Sequence, residues 1–338
     1  MTAPPRVAFH PEGVEVEGGL LWLDARKAKS FGVVSHAHGD HVARHARILC
    51  TRETAALVRR RSGPGPRFLT ALYGEGVPVG DLRVTLHPAG HILGSALVHL
   101  EGPGGSLLYS GDVRLEGGLT CPPAAPPRAD LLITESTFGR PDHRFADAAE
   151  VRARLVAFAK EALAAGATPV FLAYALGKAQ EVMKALCDAE VPVAAHGSVW
   201  NLCGVYRAFG VGFPGAIRLS GARPGRRALV VPPRFARAPE ITSAAPLRVA
   251  AVTGWGEMAR GPDAPEVFRL SDHCDYDGLV AFVRAVAPRK VYVLHGYAAE
   301  FAGELRKLGY DAEAVPGHAG PKGSLPPGAF GRGAPEAV

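Results

Sequence analysis

The chain has 338 residues, 47% apolar and 21% charged, with 41 Gly, 29 Pro and a formal net charge of +6. That is enough chain for one large domain or two intermediate ones with a real core, and it is too apolar for a disordered polymer. No apolar run reaches the roughly 18 residues of a membrane span, and the opening Met1-Thr2-Ala3-Pro4-Pro5-Arg6 does not read as a signal peptide.

The first third reads as short strands bounded by Gly, Pro or Asp: 13–24 with a turn at Gly18-Gly19, then 31–35, 46–50, 83–87, 96–100, 106–109 and 130–134. From about Ala146 the period changes. Val151, Leu155, Phe158 and Ala162 recur at helical spacing up to Gly166, which predicts a helix closed by that glycine. Strand-like 169–174 and helix-like 178–189 follow, then 191–195 and 199–209, a small βαβα layer. Strands at 247–253, 267–270 and 290–294 and helices at 277–287 and 298–308 complete the pattern. Beyond Gly317 the sequence is Gly/Pro-rich and aperiodic, which predicts a loose tail over 318–338.

Charge is unevenly placed: +2 over 1–140, +6 over 141–250 and −2 over 251–338. Between Glu190 and Glu240 lie Arg207, Arg218, Arg223, Arg226, Arg227, Arg234 and Arg237 and no acid. A one-sign stretch suits a polyanion, whose phosphates the arginine fork matches; an ordinary solvated face is the competing reading. The cysteines, Cys50, Cys121, Cys187, Cys203 and Cys274, are odd in number and never spaced as CxxC. That argues against a disulfide framework or thiolate zinc site and predicts a reducing, cytoplasmic location.

The densest chemistry is Ser35-His36-Ala37-His38-Gly39-Asp40-His41, directly after an apolar strand. Imidazoles and carboxylates bind zinc and manganese, and one loop cannot wrap all four ligand-type groups around a single ion. His91, Asp112 and His295 each follow an apolar strand and sit beside a glycine. Singly they would be structural residues. Together with the loop they read as one site. His87 lies four residues before His91 and could stand beside it; His10, His45, His99, His143 and His318 have no partner pattern and read as surface. Cys274 reads as a small buried residue rather than a ligand.

The HxHxDH run, His91 within HPAGHILGS and Asp112 within YSGD resemble the ligand motifs of the metallo-β-lactamase fold. Glu135 in TESTFG, His273 in LSDHCD and His295 in VLHG are similar to its β-CASP nuclease branch, which includes ribonuclease J and Artemis-type repair nucleases. The strongest likeness is to the shorter bacterial DNA ligase-associated exonucleases. It spans roughly residues 10–315 and is looser through the arginine-rich stretch. The implied fold is α/β, a four-layer αβ/βα sandwich with an inserted α/β cap. Residues 1–140 and 251–317 would form the main domain and 141–250 the cap, with the active site in the cleft between them. Charge and period alone would equally allow three consecutive pieces.

The resemblance also implies roles. His36, His38 and His91 would hold one divalent ion and Asp40, His41 and His295 a second, with Asp112 bridging. Asp24 and Glu135 would orient ligand histidines by accepting their second N–H. Asp40, Asp112 and His273 would be the catalytic groups, His273 as general acid to the leaving oxygen; its structural alternative is to cap the helix beginning near Asp277. Ser271 would contact phosphate, as would Gly177 and Lys178 at a helix start. His196, Arg223, Arg226 and Arg227 would line the substrate path. Zinc suits the imidazoles, and manganese fits the same ligands.

The activity implied is two-metal hydrolysis of nucleic acid: a DNA exonuclease in repair or end processing, associated with a DNA ligase or helicase. Two ions about 3.5–4 Å apart meet the needs of phosphodiester cleavage. The alternatives are the same chemistry on RNA, an ester or lactone hydrolase, and a non-catalytic nucleic-acid-binding module. A small-molecule hydrolase predicts no basic insertion, and a binding module predicts lost ligands.

Overall fold

The protein is described by a computed structural model over residues 4–63, 65–220, 225–244, 246–255 and 266–317. Among these, residues up to 144 and from 273 form one unit, and 145–272 a second. The expected tail at 318–338 lies outside the described residues.

In the first unit two sheets stack. One has six strands in chain order: Val7–His10, Gly13–Val16, Leu21–Leu23, Phe31–Val33, Arg47–Thr51 and Arg67–Ala71. The other has seven, running Ala312–Ala314, Lys290–Leu294, Leu131–Glu135, Gly105–Tyr109, Ala96–Gly102, Leu82–Pro88 and Gly76–Val79 across the sheet. Side-chain alternation decides what each face meets. Val14, Val16, Leu21, Leu23 and Leu49 of the first sheet share a core with Leu86, Val98, Leu100 and Leu107 of the second. Leu97 and Leu108 point the other way and pack with Phe282 and Val283 of helix Tyr276–Val286 and Phe301 and Leu305 of helix Ala298–Lys307. Ile48 and Cys50 face outward from the first sheet onto Ala55 of helix Arg52–Ser62. The layers therefore run helix, sheet, sheet, helix.

Helix Arg52–Ser62 was not legible in the pattern. Its buried residues are Thr54, Ala55, Leu57 and Val58, small or polar in half the cases, and its last turn is Arg59-Arg60-Arg61. Local chemistry nonetheless defines it: the Thr51 hydroxyl accepts from Thr54 N at 3.1 Å, and Gly63 closes it at φ 72°. The edge strands Val7–His10, Arg67–Ala71 and Gly76–Val79 also lack a clean alternation.

The second unit is a six-stranded parallel sheet ordered Ile217–Arg218, Val193–Ala195, Ala228–Val231, Thr168–Leu172, Leu247–Thr253 and Glu266–Arg269. Its helices include Ala148–Ala164, Lys178–Asp188 and Gly197–Ala208. Here the boundary expected at 251 moves. Strand Leu247–Thr253 pairs in register with Thr168–Leu172, from Thr168↔Leu247 to Leu172↔Ala251, and then with Glu266–Arg269. The chain returns to the first unit only at His273. No described helix is long and apolar enough to cross a membrane.

Candidate metal centre

Strand Phe31–Val33 ends in the loop that carries His36 and His38, and a single 3-10 turn over Gly39–His41 swings Asp40 and His41 off it. His91 and Asp112 arrive from loops that follow two strands of the second sheet, Leu82–Pro88 and Gly105–Tyr109. The four groups His36, His38, His91 and Asp112 converge, each with a ligand atom within 4.8 Å of the others. His36 Nε2 lies 3.1 Å from His38 Nδ1, and His91 Nε2 lies 3.0 Å from the same atom. Asp112 Oδ2 is 3.5 Å from His36 Nε2, 3.5 Å from His41 Nε2 and 3.8 Å from His91 Nε2. Donors around a tetrahedral ion at 2.0–2.1 Å stand about 3.3–3.4 Å apart, so this spacing fits a metal ion.

For His41 and His36 the second ring nitrogen settles which one faces inward. Asp24 accepts from Ser35 N at 2.7 Å, Ser35 Oγ at 2.5 Å, Tyr109 OH at 3.0 Å and His41 Nδ1 at 2.7 Å. An ionised carboxylate only accepts, so His41 Nδ1 carries the proton and its Nε2 lone pair faces Asp112 and Asp40, whose Oδ2 is 3.6 Å away. Ser35 Oγ, having given its hydrogen to Asp24, accepts from His36 Nδ1 at 3.0 Å. His36 Nε2 is thereby also a lone pair. Lone pairs of two imidazoles and two carboxylates turned toward one another repel unless a cation lies among them. Burial, reinforced by His41, pushes the His36 imidazole well below its ordinary range and keeps it neutral. Burial alone would raise Asp112, but His41, His273, His36 and His91 outweigh it and hold its carboxyl well below the usual range.

His295 follows strand Lys290–Leu294 and lines a pocket with Asp24, Asp40, His41 and Tyr109. Its φ is 58°, and that of Asp24 is 42°. Left-handed backbone is uncommon outside glycine, though Asp and His adopt it more readily than most, and here it occurs in two residues of one pocket. Ser136 Oγ donates to the His295 carbonyl at 2.5 Å and holds the turn; a side chain at Gly296 would run into the Ser136 carbonyl.

Glu135 plays a different part from the one expected. It holds His273, not a histidine of the convergent set: His273 Nδ1 lies 2.9 Å from Oε1 and 3.1 Å from Oε2. Val113 N at 2.8 Å, Thr137 N at 3.2 Å and Thr137 Oγ1 also donate to it. His273 in turn sits 4.7 Å, ring to ring, from His91. It does not cap the following helix, because Asp275 does, accepting from Gly278 N at 2.8 Å.

Of the expected phosphate contacts, Gly177 and Lys178 are committed elsewhere. Gly177 N donates to Gln180 Oε1 at 2.7 Å, and the buried Lys178 ammonium pairs with Asp272 at 3.0 Å. Through this pair the lysine, 3% exposed, clamps the Ser271-Asp272 segment. His196 accepts from Ser198 N at the start of its helix and stacks on Phe235 at 4.0 Å. Arg226 donates to Leu163 O at 2.6 Å and Arg227 to Gly215 O at 3.5 Å. Ser271 is buried, and Arg223 lies outside the described residues. His87 stands 5.9 Å from His99 rather than among the ligands; His45 and His99 are buried, not on the surface. Cys274 is buried, as expected, and the cysteines are free thiols.

Sequence reasoning missed Ser35, Tyr109 and Ser136. All three neighbour motif residues, next to His36, within the YSGD motif and next to Glu135 in TESTFG, and such placement is the signal that could have marked them.

No family model matches the chain. It is 40% identical over 302 residues to a protein named probable DNA ligase from Opitutus terrae, covering 87% of this chain but 29% of that one. It is 33% identical over 152 residues to transcription termination factor FttA of Thermococcus kodakarensis, 42% of this chain and 24% of that protein. An RNase J-like protein of Methanocaldococcus jannaschii is 27% identical over 240 residues, 58% and 57% of the two chains. The chain thus spans less than a third of the first two relatives. A crystal structure of a protein of unknown function from Enterococcus faecalis shares the fold, with TM-score 0.57 at 12% identity over 84% of this chain and 78% of that one.

Proposed function

We propose that the chain is a two-metal phosphodiesterase of the metallo-β-lactamase fold, β-CASP branch, that shortens DNA from its ends alongside a DNA ligase. The observation that carries this is Asp112, whose Oδ2 stands 3.5 Å from Nε2 of both His36 and His41, as a ligand shared by two half-sites would. His36, His38 and His91 would complete one half-site, and Asp40, His41 and His295 the other. Ions held there, zinc above all, would supply charge neutralisation at the phosphate and a nucleophile at neutral pH. Asp24 fixes the tautomer of His41. Glu135 fixes His273 by Nδ1, which leaves Nε2 as the nitrogen that gives a proton to the leaving oxygen. Ser271 would donate to a phosphate oxygen.

The 40% likeness to a protein named as a ligase supports DNA and joining of ends; the RNase J-like relative supports RNA as a second reading. Metal-loaded protein should shorten 5′- and 3′-labelled DNA stepwise and faster than matched RNA. His38→Ala and Asp112→Ala should each slow this about 10³-fold or more. Preference for RNA would move the substrate, and cleavage indifferent to both substitutions would end the reading.

A further inference from the structure

Asp24 touches His41 directly, but it reaches His36 only through the hydroxyl of Ser35. We propose that Ser35 is a positioning residue that relays the hold of Asp24 to His36, so that a single carboxylate sets the ligand face of one imidazole in each half-site.

The relay can be followed atom by atom. Asp24 Oδ2 takes His41 Nδ1 at 2.7 Å, Ser35 Oγ at 2.5 Å and Tyr109 OH at 3.0 Å, and its Oδ1 takes Ser35 N at 2.7 Å. His36 stands one atom further out, with Nδ1 3.0 Å from Ser35 Oγ. A hydroxyl has one hydrogen to give, and an ionised carboxylate can only accept it. The serine oxygen is thereby left as an acceptor, and His36 Nδ1 carries the proton. Both rings then end alike, because Nε2 of His36 and Nε2 of His41 each stand 3.5 Å from Asp112 Oδ2. The turn that presents Asp112 leaves room for the link: a side chain at Gly111 would run into Ser35 Oγ.

Two features separate this serine from one that only fills space. Ser35 is 1% exposed and His36 0%, so bulk water does not stand in for the hydroxyl. Among the described residues, His36 Nδ1 has no other hydrogen-bond partner. Without the hydroxyl a neutral His36 has two states. It either buries an unpaired N–H, or it moves its proton to Nε2, the nitrogen that faces His38 and Asp112. A ring protonated there has no lone pair for a cation. His41 is spared, because its bond to Asp24 does not pass through the serine. The relay thus predicts an asymmetry: Ser35 governs the half-site of His36, and Asp24 governs both.

The inference rests on the two-half-site reading above, and its test needs no turnover. Nitrogen-15 NMR of the histidine rings, on the metal-free full chain at neutral pH, reads the tautomers. Wild-type His36 should carry its proton on Nδ1. In Ser35→Ala the proton should move to Nε2, while His41 stays protonated on Nδ1. Calorimetric titration with zinc should then give two ions for the wild type. In Ser35→Ala one of the two binding steps should weaken about 10–100-fold and the other hold, whereas Asp24→Ala should weaken both. A wild-type His36 protonated on Nε2 overturns the relay, and that measurement needs no variant to fold. Ser35→Ala that leaves both steps intact, or weakens both alike, also overturns it. A wild-type chain that takes up fewer than two ions ends the two-half-site reading instead, and the relay between half-sites falls with it.

Discussion

Asp24 and Glu135 are buried carboxylates that each accept from two backbone or hydroxyl groups of one neighbour, one further donor and one imidazole, yet the imidazoles differ. The His41 side chain is 1% exposed and points its other nitrogen at Asp112; that of His273 is 19% exposed. The same device serves two ends. Around Asp24 it locks a buried ring whose second nitrogen faces Asp112. Around Glu135 it aims a ring that, on the proposed mechanism, would still have to reach a reactant. Burying a carboxylate costs several kcal/mol, and in both places a full set of donors offsets that cost.

The comparison breaks most easily at Asp24. Asp24→Ala strands Tyr109 OH, Ser35 and His41 together, so unfolding free energy should fall by about 3–5 kcal/mol and metal affinity by 10–100-fold, read by denaturant titration and metal competition. Should Asp24→Ala leave metal affinity intact, the locking role is wrong. Glu135→Gln should act on the other side of the contrast. Turnover of nucleic acid should drop by about 10²–10⁴ with metal content unchanged, and a parallel loss of metal would make the two carboxylates equivalent. Tyr109→Phe is the finest probe, because it removes one donor of the Asp24 set. About 1 kcal/mol of stability is expected to go. Burial and Asp24 push the Tyr109 phenol far above its ordinary range, so this difference between wild type and variant should be the same at pH 6 and pH 9.

How much of this was legible depends on the range of the interaction. The loop 36–41 shows itself because its ligand types are adjacent, and strands such as Leu247–Thr253 and Lys290–Leu294 because their apolar runs are short and bounded. Partners that meet through folding do not show. The pairing of Lys178 with Asp272, 94 positions on, is invisible in the sequence. Glu135 looked like a holder of ligand rings because nothing local says it will meet His273. The boundary at 251 failed for the same reason: a strand's own residues do not name the sheet it will join.

Helix Arg52–Ser62 has a bearing on the centre out of proportion to its place outside the sandwich. At its start Thr51 Oγ1 and Thr54 Oγ1 both donate to the Gly94 carbonyl, at 2.7 and 2.9 Å, and so grip the turn that presents His91. At its end Arg61 grips Ala37, amid the histidine run. The helix works as a spacer bar between two jaws of the centre. One residue added or removed within it would shift its ends by about 1.5 Å and turn them by about 100°, so the gap between the jaws is gauged by the length of a segment outside the cluster of histidines and Asp112.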